Sequence, residues 1–157
     1  MQILTGAYNH TVDAKNRIRI PSKLRDDLLE DKSAAEGDEN VQKKYSLVFH
    51  RGTDNCIEVY TQEGLNEIYA PFRDIKHSDR ARYSALRQYM TSFETVESDP
   101  QGRFVIPSKF KQYASINKDI VICGNVDHIE IWAKEVYDEY FNEGNLDINE
   151  LVKILGN

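Results

Sequence analysis

The sequence predicts an α+β fold built twice over. Three observations carry that expectation: an internal repeat, short segments with two-residue apolar alternation, and short segments of helical spacing that follow them. Residues 13–23 read DAKNRIRIPSK and residues 99–109 read DPQGRFVIPSK. Asp13/Asp99, Arg17/Arg103, Ile20/Ile106, Pro21/Pro107, Ser22/Ser108 and Lys23/Lys109 are identical pairs at an offset of 86. A second match, Ile57–Tyr60 (IEVY) with Ile129–Trp132 (IEIW), runs at an offset of 72. The first copy therefore holds 14 extra residues, and the polar stretch Asp31–Lys44 is where an insertion in a surface loop costs least. The expected division is a first repeat over 1–70 with its insertion near 31–44, a helical connector over 71–91, a second repeat over 92–142, and a C-terminal helical tail over 143–157.

Each element follows from local chemistry. Tyr8, His10 and Val12 alternate with polar residues, and Glu94, Val96 and Ser98 do so more weakly; both read as strands. DAKN and DPQG then read as tight loops, because Asn16 and Gly102 tolerate positive φ at the same position. Ile18 and Ile20 alternate with Arg17 and Arg19 on a second strand. Pro21 and Pro107 end that strand, and Ser22 and Ser108 are candidate N-caps of short helices. Ser46–His50 with Cys56–Tyr60, and Ile120–Cys123 with His128–Trp132, read as apolar hairpins with RGTDN and GNVD at their tips. Helices over Thr61–Tyr69 and Ala133–Asn142 close the copies. The connector Ser78–Met90 places Leu86, Tyr89, Met90 and Phe93 at helical spacing. Ile148–Leu155 reads as an amphipathic helix with Ile148, Leu151, Val152 and Leu155 on one face. Phe49, Tyr60, Phe110 and Trp132 are predicted core, and Cys56 and Cys123 are predicted buried.

Composition narrows the function classes. The chain has 157 residues, 40% of them hydrophobic and 29% charged, which fits a folded domain. Cys56 and Cys123 form no C-x-x-C pair and suggest a reducing compartment. His10, His50, His77 and His128 show no ligand spacing along the chain, so no metal or other cofactor is expected. With no Gly-rich phosphate loop, nucleophile elbow or framed acid pair, no catalytic residues and no enzyme activity are expected. The run Asp26, Asp27, Glu30 and Asp31 reads as a solvated helix face. No apolar run approaches the roughly 18 residues that span a bilayer, and the N-terminus carries no basic leader, so the expected setting is cytosolic. The net charge of −6 argues against nucleic acid only if it is evenly spread. It is not: residues 1–25 hold five cations against one acid and residues 99–118 four against one, which leaves −13 on the other 112.

The paired D-x-x-x-R motifs, each followed by I-P and a short helix, together with the hairpin ending in IEIW, resemble the MraZ family of bacterial transcription regulators over residues 6–142. Asn16 stands where that family more often has glycine, Pro100 stiffens the second loop, and Lys111 replaces a frequent arginine. The insertion 31–44 and the tail after Asn142 have no clear counterpart. The resemblance implies AbrB-like swapped-hairpin β units, a ring of identical subunits, and binding to double-stranded DNA repeats upstream of the protein's own gene in the division and cell-wall cluster, at the nucleoid. The alternatives are an AbrB-type antitoxin that binds a protein toxin, or a ring without DNA contact.

The residues themselves favour the first copy as the DNA contact. Lys15, Arg17 and Arg19 lie on a loop tip and one strand face, where Lys and Arg can reach guanine O6 and N7 in a major groove. Lys23 and Arg25 are placed as phosphate contacts. In the second copy Gln101, Phe104 and Val105 replace Lys15, Ile18 and Arg19, which assigns it to packing or assembly. Asp13, Asp99 and Arg103 read as structural, through Asp–Arg pairs that pin the loops. Arg17 can serve either role or both, and Arg19 can equally be a solvent-face residue.

Overall fold

Two strands per copy alternate apolar and polar residues, and that alternation decides which face of the sheet each side chain meets. The computed structural model describes residues 3–29, 44–143 and 147–156. The insertion 31–44 lies outside the described residues except for Lys44, as do Glu30 and Asp31 of the acidic run. The first copy contains β1 (Ala7–Thr11), β2 (Arg17–Arg19), α1 (Ser22–Leu28), β3 (Ser46–Arg51), β4 (Ile57–Tyr60) and α2 (Gln62–Tyr69). After α3 (Arg80–Met90), the second contains β5 (Phe93–Glu97), β6 (Arg103–Val105), α4 (Ser108–Tyr113), β7 (Asp119–Asn125), β8 (His128–Ala133) and α5 (Lys134–Glu143). Helix α6 (Ile148–Gly156) follows. The expected α+β class is what the structure shows.

The strands form one six-stranded antiparallel sheet in the order β1-β7-β8-β4-β3-β5, and a two-stranded ribbon of β2 with β6. The first strand of each copy pairs with the hairpin of the other: β1 with β7, and β5 with β3. The copies are thus interleaved rather than side by side. A pseudo-twofold axis relates them, and it passes through two self-pairings. Ile18 faces Phe104, its own counterpart, in the ribbon, and Glu58 faces Glu130 where β4 meets β8.

One face of the large sheet carries Leu47, Phe49, Ile57, Val59, Ile120, Ile122, Ile129 and Ile131, all buried against the ribbon residues Ile18, Ile20, Phe104 and Ile106 and against Leu24 and Phe110 of α1 and α4. Phe49 sits between Phe104 and Phe110, with ring centroids 6.2 and 6.1 Å away. A first-copy ring is therefore clamped by two second-copy rings, each burial contributing about 1.5–3 kcal/mol. The opposite face holds Tyr60 and Trp132, buried as predicted but in two smaller clusters with Leu65 of α2 and Tyr137 of α5.

Two expectations need correction. Neither Ser22 nor Ser108 caps its helix: each helix begins on the serine, with Pro21 or Pro107 at the N-cap and no side-chain cap bond. The proline supplies a fixed φ that enters the helix without a hydroxyl acceptor. Cys56 is buried, but Cys123 is only partly so. Thr61 and Asp79 do cap α2 and α3, accepting from Gly64 N and Arg82 N. No residue of α6 is buried, and Ile148, Val152, Ile154 and Leu155 are each at least 62% exposed.

Candidate nucleic-acid interface

The two D-x-x-x-R segments fold into the same loop. Asp13 Oδ1 accepts from the backbone N–H groups of Lys15 (2.9 Å) and Arg17 (2.8 Å), and its Oδ2 accepts from Arg17 Nε (2.7 Å). Asp99 repeats this with Gln101 N (2.9 Å), Arg103 N (2.9 Å) and Arg103 Nε (2.8 Å). The spacing is explained by reach: a carboxylate at the first position closes a turn over the next two residues and still meets the guanidinium four positions on. In both loops the backbone N–H of the arginine, above all, lowers the aspartate pKa; partial loss of hydration opposes it, and the guanidinium and the second N–H help. The fourth motif residue takes positive φ in each loop, 62° at Asn16 and 81° at Gly102, which answers the need for asparagine or glycine there.

Each guanidinium bonds its aspartate through Nε. Among the described residues, the Nη groups of Arg17 and Arg103 make no hydrogen bond. The structural reading of the arginine and the binding reading are therefore compatible: Nε pins the loop and the Nη fork is left to a ligand.

The ribbon then sets these groups on one surface. Ile18 and Phe104 are 2% and 1% exposed, so Arg17, Arg19, Arg103 and Val105 must take the outward face. Arg17 pairs with Val105 and Arg19 with Arg103, so three arginines occupy a patch three residues long. Reading the motifs singly left Arg103 outside the cationic set. The antiparallel pairing across 86 residues brings it in, and only the register of the repeat could have pointed to it. The loops lie at opposite ends of this ribbon, with Lys15 exposed at one tip and Gln101 at the other.

Their surroundings differ. Lys111 of α4 donates to Asn16 Oδ1 at 2.7 Å, and Ile106 N donates to Asn16 O at 2.8 Å, so the second copy braces the first loop. Gly102 offers no side chain for a return brace, and Arg25, the counterpart of Lys111, instead lies over the Tyr45 ring at 5.9 Å and reaches Asp26 at 3.4 Å. Lys23 is exposed, while its counterpart Lys109 stands 3.6 Å from Glu94. Of the five predicted contacts, the fold groups Arg17 and Arg19 on the ribbon face and Lys15 at its end. Lys23 and Arg25 follow on α1, with Arg25 partly engaged.

A family model described as "MraZ protein, putative antitoxin-like" matches residues 3–87 and 90–151. A protein of Clostridium tetani named transcriptional regulator MraZ is 34% identical over 148 residues, covering 94% of this chain and 93% of that protein. Proteins with the same name from Mycoplasmoides gallisepticum and a Thermoanaerobacter species are 35% and 32% identical, over 94% and 98% of this chain and 94% and 96% of their own lengths. With both repeats matched and relatives aligned almost end to end, this chain belongs to the MraZ family.

Proposed function

We propose that the protein is a sequence-specific, double-stranded-DNA-binding transcriptional regulator, not an enzyme, and that Lys15, Arg17, Arg19, Lys23 and Arg25 make the DNA contact. The observation that carries this reading is the outward ribbon face, where Arg17, Arg19 and Arg103 stand together beside the Lys15 tip, the Nη groups of Arg17 and Arg103 unbonded among the described residues. The names of the relatives support transcriptional regulation. Arg17 and Lys15 read base edges, Lys23 and Arg25 hold phosphates, and Asp13, Asp99 and Arg103 shape the loops, with Arg103 adding charge.

The finer reading is a ring of identical subunits that presents one such face per subunit to repeated promoter boxes, and so represses or tunes its own division and cell-wall gene cluster at the nucleoid. Linked contacts raise the effective concentration of the second into the millimolar range, which lets a modest basic patch on an acidic chain bind tightly. We divide the chain for this purpose into repeats over 1–70 and 92–142, a connector over 71–91 and a tail over 143–157. No helix among the described residues is long and apolar enough to cross a membrane. The test is binding to the gene's own upstream DNA with box number varied: affinity must climb steeply with box number and fall steeply with salt. A constant indifferent to both rejects the reading.

One observation favours a second reading, an antitoxin that binds a protein toxin: α6 exposes Ile148, Val152, Ile154 and Leu155. Removing residues 147–157 leaves DNA binding intact in the first reading and abolishes toxin neutralisation in the second.

A further inference from the structure

On the sheet face away from the main core, four residues from four adjacent strands stand in one register row: Cys123 on β7, Glu130 on β8, Glu58 on β4 and His50 on β3. Cys56 lies two residues from Glu58 on the same face. Counting His128, two residues from Glu130, each copy supplies one histidine, one cysteine and one glutamate. At the centre two carboxylates face each other across the pseudo-twofold axis, an arrangement that repels unless a positive charge joins it.

The charges are unequally served. Glu130 accepts from Trp132 Nε1 (3.1 Å), Asn125 Nδ2 (3.1 Å) and His128 Nε2 (3.0 Å). His128 also stands 2.8 Å from Asp127 Oδ1 through Nδ1, so its ring bridges that carboxylate and Glu130. Glu58 accepts only the Tyr60 hydroxyl, at 2.9 Å, among the described residues. His50 stands nearest to it, with Nδ1 3.5 Å from Glu58 Oε1. That ring is 2% exposed, and neither nitrogen has a hydrogen-bond partner among the described residues. A buried, unpartnered imidazole aimed at an under-served carboxylate is a costly arrangement for a protein to keep without a ligand.

Cys56 Sγ and one oxygen each from Glu58 and Glu130 all lie within 4.8 Å of one another. Tetrahedral zinc, with bonds near 2.0–2.3 Å, spaces its ligands about 3.3–3.5 Å apart. Small rotations of the long glutamate side chains bring these three atoms to that spacing, while His50 lies outside the group, with Nδ1 3.5 Å from Glu58 Oε1. Gly52 keeps room for one of them, since a Cβ there would fall 2.7 Å from Glu58 Cγ.

We propose that Cys56, Glu58 and Glu130 bind one divalent transition-metal ion of the zinc type, with water as its fourth ligand, which cross-links β4 to β8 at the axis between the two repeats. The donor set of one sulfur and two carboxylate oxygens suits such an ion better than magnesium or calcium. On binding, the Cys56 thiol gives up its proton to solvent, the sulfur–metal bond forms, and the hydrogen bond from Sγ to Thr53 O (3.3 Å) is lost. His50 stays outside the coordination sphere, packed beside Glu58.

The test uses the full-length protein, stripped of metal and titrated with zinc and, separately, with cobalt(II). One equivalent per chain should survive gel filtration, and the cobalt form should show a thiolate charge-transfer band in the near ultraviolet. Cys56→Ser should abolish that band and weaken zinc binding roughly tenfold or more, while Cys123→Ser leaves both unchanged. X-ray absorption of the wild-type zinc form, which needs no variant, should show a single sulfur ligand. Uptake below one equivalent, a site with no sulfur, or a band that persists in Cys56→Ser overturns the proposal.

Discussion

The two D-x-x-x-R loops are near-copies in geometry and opposites in equipment. Asp13–Arg17 and Asp99–Arg103 make the same three side-chain bonds to within 0.1 Å. Yet the first carries Lys15 at its tip, an Asn16 held by Lys111, and Arg19 two residues on, whereas the second carries Gln101, an unheld Gly102 and an apolar Val105 that is 51% exposed. The comparison teaches that the motif specifies a loop shape and not a binding site. What the loop presents decides the chemistry, and in a duplicated chain one copy can keep the ligand while the other keeps the scaffold.

The largest effect should come from taking the ligand-facing groups off the first loop. Lys15→Ala with Arg17→Ala removes both base-reading side chains; each base contact is worth about 1–3 kcal/mol, roughly 5- to 150-fold, so affinity for upstream DNA should collapse in a gel-shift assay while the gel-filtration profile stays unchanged. Arg103→Ala should cost less, because its guanidinium adds charge at the patch edge.

The salt dependence sharpens the same contrast. In fluorescence titrations, Lys23→Ala should weaken binding to all DNA sequences alike and flatten the log–log salt slope by about 1, the signature of one lost phosphate contact. Lys109→Ala, already beside Glu94, should leave the slope within error.

Smaller still is the brace. Lys111→Met should loosen the first loop and cost a few-fold in DNA affinity, with Gln112→Ala as the silent control. Asn16→Gly removes the acceptor for Lys111 but also relieves the positive-φ conformation, so its melting temperature should hardly move.

The mildest prediction concerns pH, and here the loops should behave alike. Both aspartates have folded pKa values below the ordinary 3.8. Their contribution to loop order is complete above that value and is lost as pH falls through the lowered folded values. Carboxyl NMR titration should show both midpoints below those of Asp13→Asn and Asp99→Asn reference chains' remaining surface aspartates; a midpoint at the ordinary value in either loop would break the shared geometry.

Much of this was legible in the chain because the repeat carries its own register. The loops, the positive φ at Asn16 and Gly102, and the burial of Ile18 and Phe104 follow from residue types at fixed spacing. The exchange of β1 and β5 between copies follows from no residue pattern, since alternation says that a segment is a strand and not which strand it pairs with; only the resemblance to swapped-hairpin units pointed to interleaving. Serine capping failed because Pro21 and Pro107 start the helices one residue earlier than a serine cap requires. Lys111 and Asn16 are 95 residues apart, and the His50, Glu58 and Glu130 row crosses three strands, so ligand spacing sought along the chain could not reveal either.

The most direct measurement of the central claim is a paired DNA titration of Lys15→Gln/Arg19→Val, which gives the first copy the second's equipment, and of Gln101→Ala, each against wild type at one salt concentration. The account predicts that the double variant loses nearly all specific binding while Gln101→Ala stays within about twofold, consistent with a residue that makes no base contact. Equal losses in the two would contradict it.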